Sequence, residues 1–394
     1  MEQKQQITQY LLESNPWWQN SQSPTECNWY QREVFGELQT YLNLKQMVSL
    51  IGLRRVGKTV LLKQAIGWLM KDKKVNPKNI CFISFEESFL EISTQTLEQA
   101  IYVYLELNFQ ADINEIKQKI YIFIDEIQYI KKWPGVLKRI YDLNPKFKFI
   151  VSGSSAIFIK SKTIESLAGR IFDIHVYPLL FKEYLSLKKE NYDLPQLNLP
   201  AINPKTLNEL KIKYELKLAV LDKLYQQYLL SGQFPEMINF TPRQSFEYIN
   251  NTILNKLLKY DLPLLRDINN PFKLKTILNL LIYETGNIIA YQNIAAETGL
   301  SQATAENYVN YLAEAFLISV LDNYSKSMRP KKRRLKKIYI ASTNFIAAVQ
   351  PLVNQNILVQ PFQGHLVETD VFNKLNILAQ KENLFLSFWR KKSE

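Results

Sequence analysis

The stretch Gly52-Leu53-Arg54-Arg55-Val56-Gly57-Lys58-Thr59 constrains this chain more than any other. It fits G-x-x-x-x-G-K-[ST], a loop whose glycines let successive backbone N–H groups face one anion. An apolar run from Met47 to Ile51 precedes it, and a helical pattern from Val60 to Ile66 follows. A strand feeding a helix through such a loop adds the positive helix end to the same anion site. Residues Gly52 to Val60 are therefore expected to hold the phosphates of a nucleotide. Lys58 would reach the β- and γ-phosphates, and the Thr59 hydroxyl would serve Mg²⁺. The alternative is a tight strand-to-helix turn that fits the pattern by chance, and the correct flanks argue against it.

Strands and helices then alternate. Asn79–Phe85 and Phe147–Val151 are short apolar runs, and Ile120–Ile124 is five apolar residues in succession, the pattern of a strand buried on both faces. Helical stretches near Thr94–Asn108 and Val136–Tyr141 lie between them. The pattern predicts an α/β fold with a doubly wound parallel sheet. Asp125 and Glu126 close the central apolar run. Beside a phosphate loop, the first acid suits Mg²⁺ and the second suits activation of water, since successive residues leaving a strand point in different directions. The next strand opens into Ser152-Gly153-Ser154-Ser155, whose small hydroxyl residues, Ser154 among them, are placed for a γ-phosphate or a water, with a solvated turn as the alternative. Arg170 is a candidate for stabilising charge on a transferred phosphoryl group, or else a structural ion-pair residue. Arg32, just upstream of the first strand, is either a base contact or a solvated helix charge. Trp17 and Trp18 read as a packing clasp.

GLRRVGKT, IFIDEIQYIKKWP, IVSGSSA, SLAGRIFDIHVYPLLFKEYL and YLLSGQFPEMI occur in that order. Together they resemble the prokaryotic AAA-like P-loop ATPases that carry a winged helix and a restriction-endonuclease-like C-terminal region. The resemblance runs from about Asn15 to Arg390. It implies ATP as the nucleotide, with Lys58, Thr59, Asp125 and Glu126 matching the family's nucleotide site and Ser154 and Arg170 matching further motifs. It divides the chain into a lead-in segment (1–46), an AAA-like core (47–180), a helical lid with a loop at Tyr192–Pro200 (181–265), a winged helix (266–340) and a partial nuclease-like region (341–394).

Within 272–324, Ala295, Gly299 and Ser301 fit a helix-turn-helix: a small packing residue, a turn, and a cap for a second helix from Ala303 to Ala315. Gln302, Thr304, Glu306 and Asn307 are its expected exposed positions. The net charge of +12 is concentrated just beyond, where eight of the twelve residues 326–337 are Lys or Arg. Arg329, Lys331, Lys332, Arg333 and Arg334 form a candidate contact for duplex DNA, or for another acidic surface. In the last segment, Gly364–Leu375 is expected as a helix carrying Glu368, and Phe385–Arg390 as a strand. Without partner carboxylates for Glu368, no nuclease activity is expected.

Two cysteines, the absence of any long apolar run and a polar N-terminus predict a cytoplasmic chain with no membrane span. The expected activity is Mg²⁺-dependent hydrolysis of ATP to ADP and phosphate, coupled to movement of the winged-helix module. The competing reading is a nucleotide-gated DNA- or protein-binding switch with negligible turnover. A homo-oligomer or a protein partner is compatible with either.

Overall fold

Runs of Ile, Val and Phe too short to make helices build the first sheet. The computed structural model describes residues 2–86, 92–154, 167–190, 203–266, 268–324, 335–349 and 362–390. The chain divides into two units, Met1–Tyr177 and Pro178–Glu394. In chain order the first contains α1 (Glu2–Ser14), α2 (Val34–Leu42), β1 (Met47–Ile51), α3 (Lys58–Lys71), β2 (Ile80–Ser84), α4 (Thr94–Phe109), β3 (Ile120–Asp125), α5 (Trp133–Leu143), β4 (Phe147–Gly153) and β5 (Ile171–His175).

The strand order is β2-β3-β4-β1-β5, and every pair is parallel. β3 and β4 are buried along their whole length, as strands covered on both faces must be. Ile51 pairs with Gly153, and Ser84 with Asp125. The carboxyl ends of β1, β2, β3 and β4 therefore lie level, and the residues leaving them converge on one crevice.

β2 is an edge strand, and its outward peptide groups belong to alternate residues. The N-terminal segment closes that edge with side chains. Trp17 and Trp18 both donate their indole N–H to the Ile80 carbonyl, at 3.1 and 2.7 Å. Asn15 takes the Phe82 N–H at 2.6 Å and donates to the Phe82 carbonyl at 2.9 Å. The Tyr10 hydroxyl does the same for Ser84, accepting at 2.6 Å and donating at 2.7 Å. The tryptophans are indeed a clasp, and their targets are backbone groups that an edge strand leaves open.

At the other edge, Asp173 of β5 faces Ser49 of β1 across the sheet. Its Oδ1 is buried without a hydrogen-bond partner among the described residues. Burial pushes this carboxyl up to about 6, with the Ser49 hydrogen bond opposing. The unfolded chain ionises it near 3.8, so the folded state loses relative stability as pH rises from 3.8 through about 6. Asp173→Asn should flatten that slope and stabilise the protein at neutral pH by roughly 1–2 kcal/mol, less than full linkage because the carboxyl keeps some solvent contact. Urea unfolding across this range checks it; an unchanged slope would exclude Asp173 as its source.

The second unit contains α6 (Phe181–Leu187), α7 (Pro204–Ser231), α8 (Pro271–Tyr283), β6 (Ile288–Ile289), α9 (Tyr291–Thr298), α10 (Gln302–Glu314), β7 (Ile318–Asp322), β8 (Lys336–Ile340) and α11 (Phe362–Lys381). The SGQFPE stretch ends α7. A Cβ on Gly232 would lie 2.6 Å from the Tyr228 Cα, so only glycine fits there. Gln233 accepts from the Ser342 hydroxyl and the Thr343 N–H, and Asn344 donates to the Tyr228 and Leu229 carbonyls. This buried network ties the end of α7 to Ser342–Asn344.

The helix pair α9–α10 turns through Gly299, at φ 64°, and Ser301 caps α10 by accepting the Thr304 N–H at 3.1 Å. β6, β8 and β7 form an antiparallel sheet in that order. The expected strand Phe385–Arg390 is reduced to a bridge between Phe388 and Asn323. Among the described residues Phe385 and Trp389 are 98% and 71% exposed, so this segment buries little apolar surface. The described C-terminal part is helical.

Candidate nucleotide site

The phosphate loop is fixed by its surroundings before any ligand arrives. Leu53 and Val56 bury their side chains, leaving the loop to be held by its apolar anchors. A Cβ on Gly52 would stand 2.1 Å from the Val176 carbonyl oxygen, and Gly57 adopts φ 96°. Both glycines are required, the first by close approach and the second by conformation. Arg32 donates to the Val56 and Tyr177 carbonyls, both at 2.9 Å, and so braces the loop from behind. Arg32 is thus a part-buried anchor and not a solvated helix charge. Arg54 is buried with Glu86 at 3.4 Å and with the Tyr129 hydroxyl, so its side chain anchors the loop to the neighbouring strand ends.

Lys58 opens α3 and lies buried, its ammonium donating to the Gly52 and Leu53 carbonyls at 3.1 and 2.8 Å. Burial lowers its proton affinity, while Glu126 and Asp125 oppose that shift. Thr59 donates to Asp125 Oδ2 at 2.8 Å. Burial, and then the neighbouring Glu126, raise Asp125, against hydrogen bonds from Ser152 and Thr59. The Ser152 hydroxyl donates to the other Asp125 oxygen. A hydroxyl and a carboxylate held together in this way are the hard oxygen donors that Mg²⁺ takes alongside phosphate and water, so the residues fit that ion.

Glu126 sits beyond β3 at φ 53°, a left-handed conformation that turns the chain sharply after Asp125. Its backbone N–H donates to the Ser152 hydroxyl at 3.0 Å. Its carboxylate is held by the side-chain amide of Gln128, which also donates to the Ser154 hydroxyl at 2.9 Å. Lys58, Thr59, Asp125, Glu126 and Ser154 are thus linked at one end of the sheet. The sequence reading passed over Gln128, and it expected the hydroxyls of the Ser152–Ser155 stretch to serve phosphate or water, whereas the Ser152 hydroxyl is engaged by Asp125 and the Glu126 N–H. The Gln128–Ser154 and Ser152–Asp125 pairs span 26 and 27 residues, a pairing set by strand register.

Arg170 lies elsewhere. Its carbonyl accepts from Met47 N at 2.7 Å, at the amino end of β1, and its guanidinium binds Asp142 at 3.0 Å. The opposite sheet end is roughly 20 Å away at about 3.3 Å per residue. Within its own chain Arg170 makes the ion pair that the sequence offered as the alternative, at the sheet end opposite the phosphate loop. Arg329, Lys331, Lys332, Arg333 and Arg334 lie outside the described residues, as does the loop at Tyr192–Pro200. Glu368, expected to stand alone, accepts from Lys337 at 2.6 Å and Tyr339 at 2.8 Å. A cation and a phenol occupy it in place of other acids. On α10, Gln302 and Asn307 are exposed, whereas Thr304 and Glu306 are half-buried.

Residues 44–185 match the family model of an AAA domain. The fold is that of a P-loop NTPase. Residues 222–356 match a domain of unknown function (DUF8612). An uncharacterized protein of Methanocaldococcus jannaschii is 28% identical over 351 residues, 88% of this chain and 71% of that protein. A second from the same organism is 26% identical over 343 residues, 85% and 68% of the two chains. Among solved structures, the Thermotoga maritima RuvB Holliday junction branch migration motor aligns with 74% of this chain and 89% of its own, at 18% identity and TM-score 0.33. Aeropyrum pernix Orc1 in complex with DNA aligns with 89% and 96%, at 10% identity and TM-score 0.35. No described helix is long and apolar enough to cross a membrane.

Proposed function

We propose that this protein binds ATP with Mg²⁺ and hydrolyses it to ADP and phosphate. The observation that carries the reading is the convergence of Lys58, the Thr59–Asp125 pair and Glu126 at the carboxyl ends of β1 and β3, parallel strands that flank β4. Lys58 and the start of α3 would bind the β- and γ-phosphates. Thr59 and Asp125 would hold Mg²⁺, which when bound neutralises charge on those phosphates. Glu126 would take a proton from the attacking water. Base choice follows the AAA match, because a phosphate loop does not read adenine.

In the second unit, α8, β6, α9, α10, β7 and β8 follow the order of a winged helix, which supports that reading of the segment. Exposed Gln302, Asn307 and Asn310 on α10 offer amides suited to base edges. Residues 326–335 of the basic stretch fall in sequence between β7 and β8, the position of a wing. Duplex DNA is the partner these features suit, and ATP turnover would be coupled to it.

Phosphate release from Mg²⁺-ATP, with and without duplex DNA, tests both parts beside Lys58→Ala. Turnover that this variant abolishes and DNA stimulates is the expected result. Binding without turnover would replace the enzyme with a nucleotide-gated switch, and turnover indifferent to DNA would remove the DNA coupling.

A further inference from the structure

Gln128 is only 6% exposed, and its side chain joins two residues of the proposed site. A carboxylate only accepts hydrogen bonds, so the amide nitrogen must face Glu126. The same nitrogen donates to Ser154 at 2.9 Å. This orientation fixes the other end of the amide. Gln128 Oε1 is buried and has no hydrogen-bond partner among the described residues. An orphaned acceptor of this kind costs about 1–3 kcal/mol, a cost best accounted for by a donor that arrives later. Beside a phosphate loop and a general base, the donor of matching chemistry is water.

We propose that Gln128 places the attacking water: its amide nitrogen locks Glu126 to Ser154, and its carbonyl oxygen accepts one hydrogen of the water whose other proton Glu126 removes. The oxygen lone pair is then turned towards phosphorus, its O–P bond forms as the bond to the ADP oxygen breaks, and the proton rests on Glu126. This rests on the hydrolytic reading above. A Gln in this role acts through orientation, so its effect falls on the transition state and leaves ground-state nucleotide binding in place.

The test is Gln128→Leu, which keeps the buried volume and removes both polar ends, with Gln128→Met as a second apolar variant should the first not fold. Turnover should fall about 30- to 100-fold, while affinity for a non-hydrolysable ATP analogue stays within about twofold. Affinity for ADP with aluminium fluoride, which mimics the transferring phosphoryl group, should fall at least about tenfold. Ser154→Ala should cost less alone and nothing further when added to Gln128→Leu, because the two act as one unit. Equal loss for both analogues, or turnover within about threefold of wild type, would overturn the assignment. If the wild type itself shows no turnover, the hydrolytic reading fails, and the two analogue affinities still decide Gln128: selective loss supports it, equal loss removes it.

Discussion

Glu126→Gln is expected to lower ATP turnover by about 10²–10³-fold while leaving nucleotide binding intact or tighter, the range that loss of a general base produces. The substitution preserves size at a position that is 5% exposed, and the backbone bond to Ser152 does not involve the side chain. What disappears is the ability to take a proton. Phosphate release and nucleotide retention, measured on the same preparation, separate this from Lys58→Ala, which should lose binding itself. Lys58 stands within the loop, where no other ammonium is held by the Gly52 and Leu53 carbonyls among the described residues. Turnover within about fivefold of wild type would mean that another group accepts the proton.

Asn15→Ala is expected to destabilise the protein by about 3–5 kcal/mol, although Asn15 touches nothing in the proposed site. It is fully buried and serves three backbone groups: the Leu11 carbonyl and both the N–H and carbonyl of Phe82. Removing the amide strands all three, at about 1–3 kcal/mol for each buried group left unsatisfied. Tyr10→Phe should cost less, because the Ser84 groups it serves are only part-buried. Urea unfolding measures both, and light scattering adds a second sign, since an opened β2 edge presents a template for intermolecular pairing. A loss under about 1 kcal/mol for Asn15→Ala would show that water replaces the clasp.

Much of the nucleotide site was legible in the sequence because its signals are local. Gly52 and Gly57 meet their conformational demands within one loop, Lys58 and Thr59 begin the helix that follows, and Asp125 and Glu126 end a strand whose unbroken apolar run marks it as central. The turn at Gly299 and the cap at Ser301 were legible for the same reason. For Arg170 the sequence left a structural ion pair and a phosphoryl contact both open, because a guanidinium in a familiar motif says nothing about which end of the sheet it occupies. That depends on β5 pairing with β1 from Met47 onwards. The strand expected at Phe385–Arg390 pairs only at Phe388, with the end of β7, because apolar alternation is only half of a strand and the other half is a partner that runs alongside it.

The sequence by itself determined the phosphate loop, the parallel α/β layering and the pair of acids, since backbone stereochemistry and period-two or period-3.6 patterning act within about ten residues. Only the tertiary structure decided that Gln128 joins Glu126 to Ser154, that Arg32 braces Val56, and that Tyr10, Asn15 and the tryptophans seal β2. Apart from the local Gln128–Glu126 bond, those contacts span 24 to 74 residues. At such separations strand register, set by packing of the whole sheet, chooses which polar groups meet.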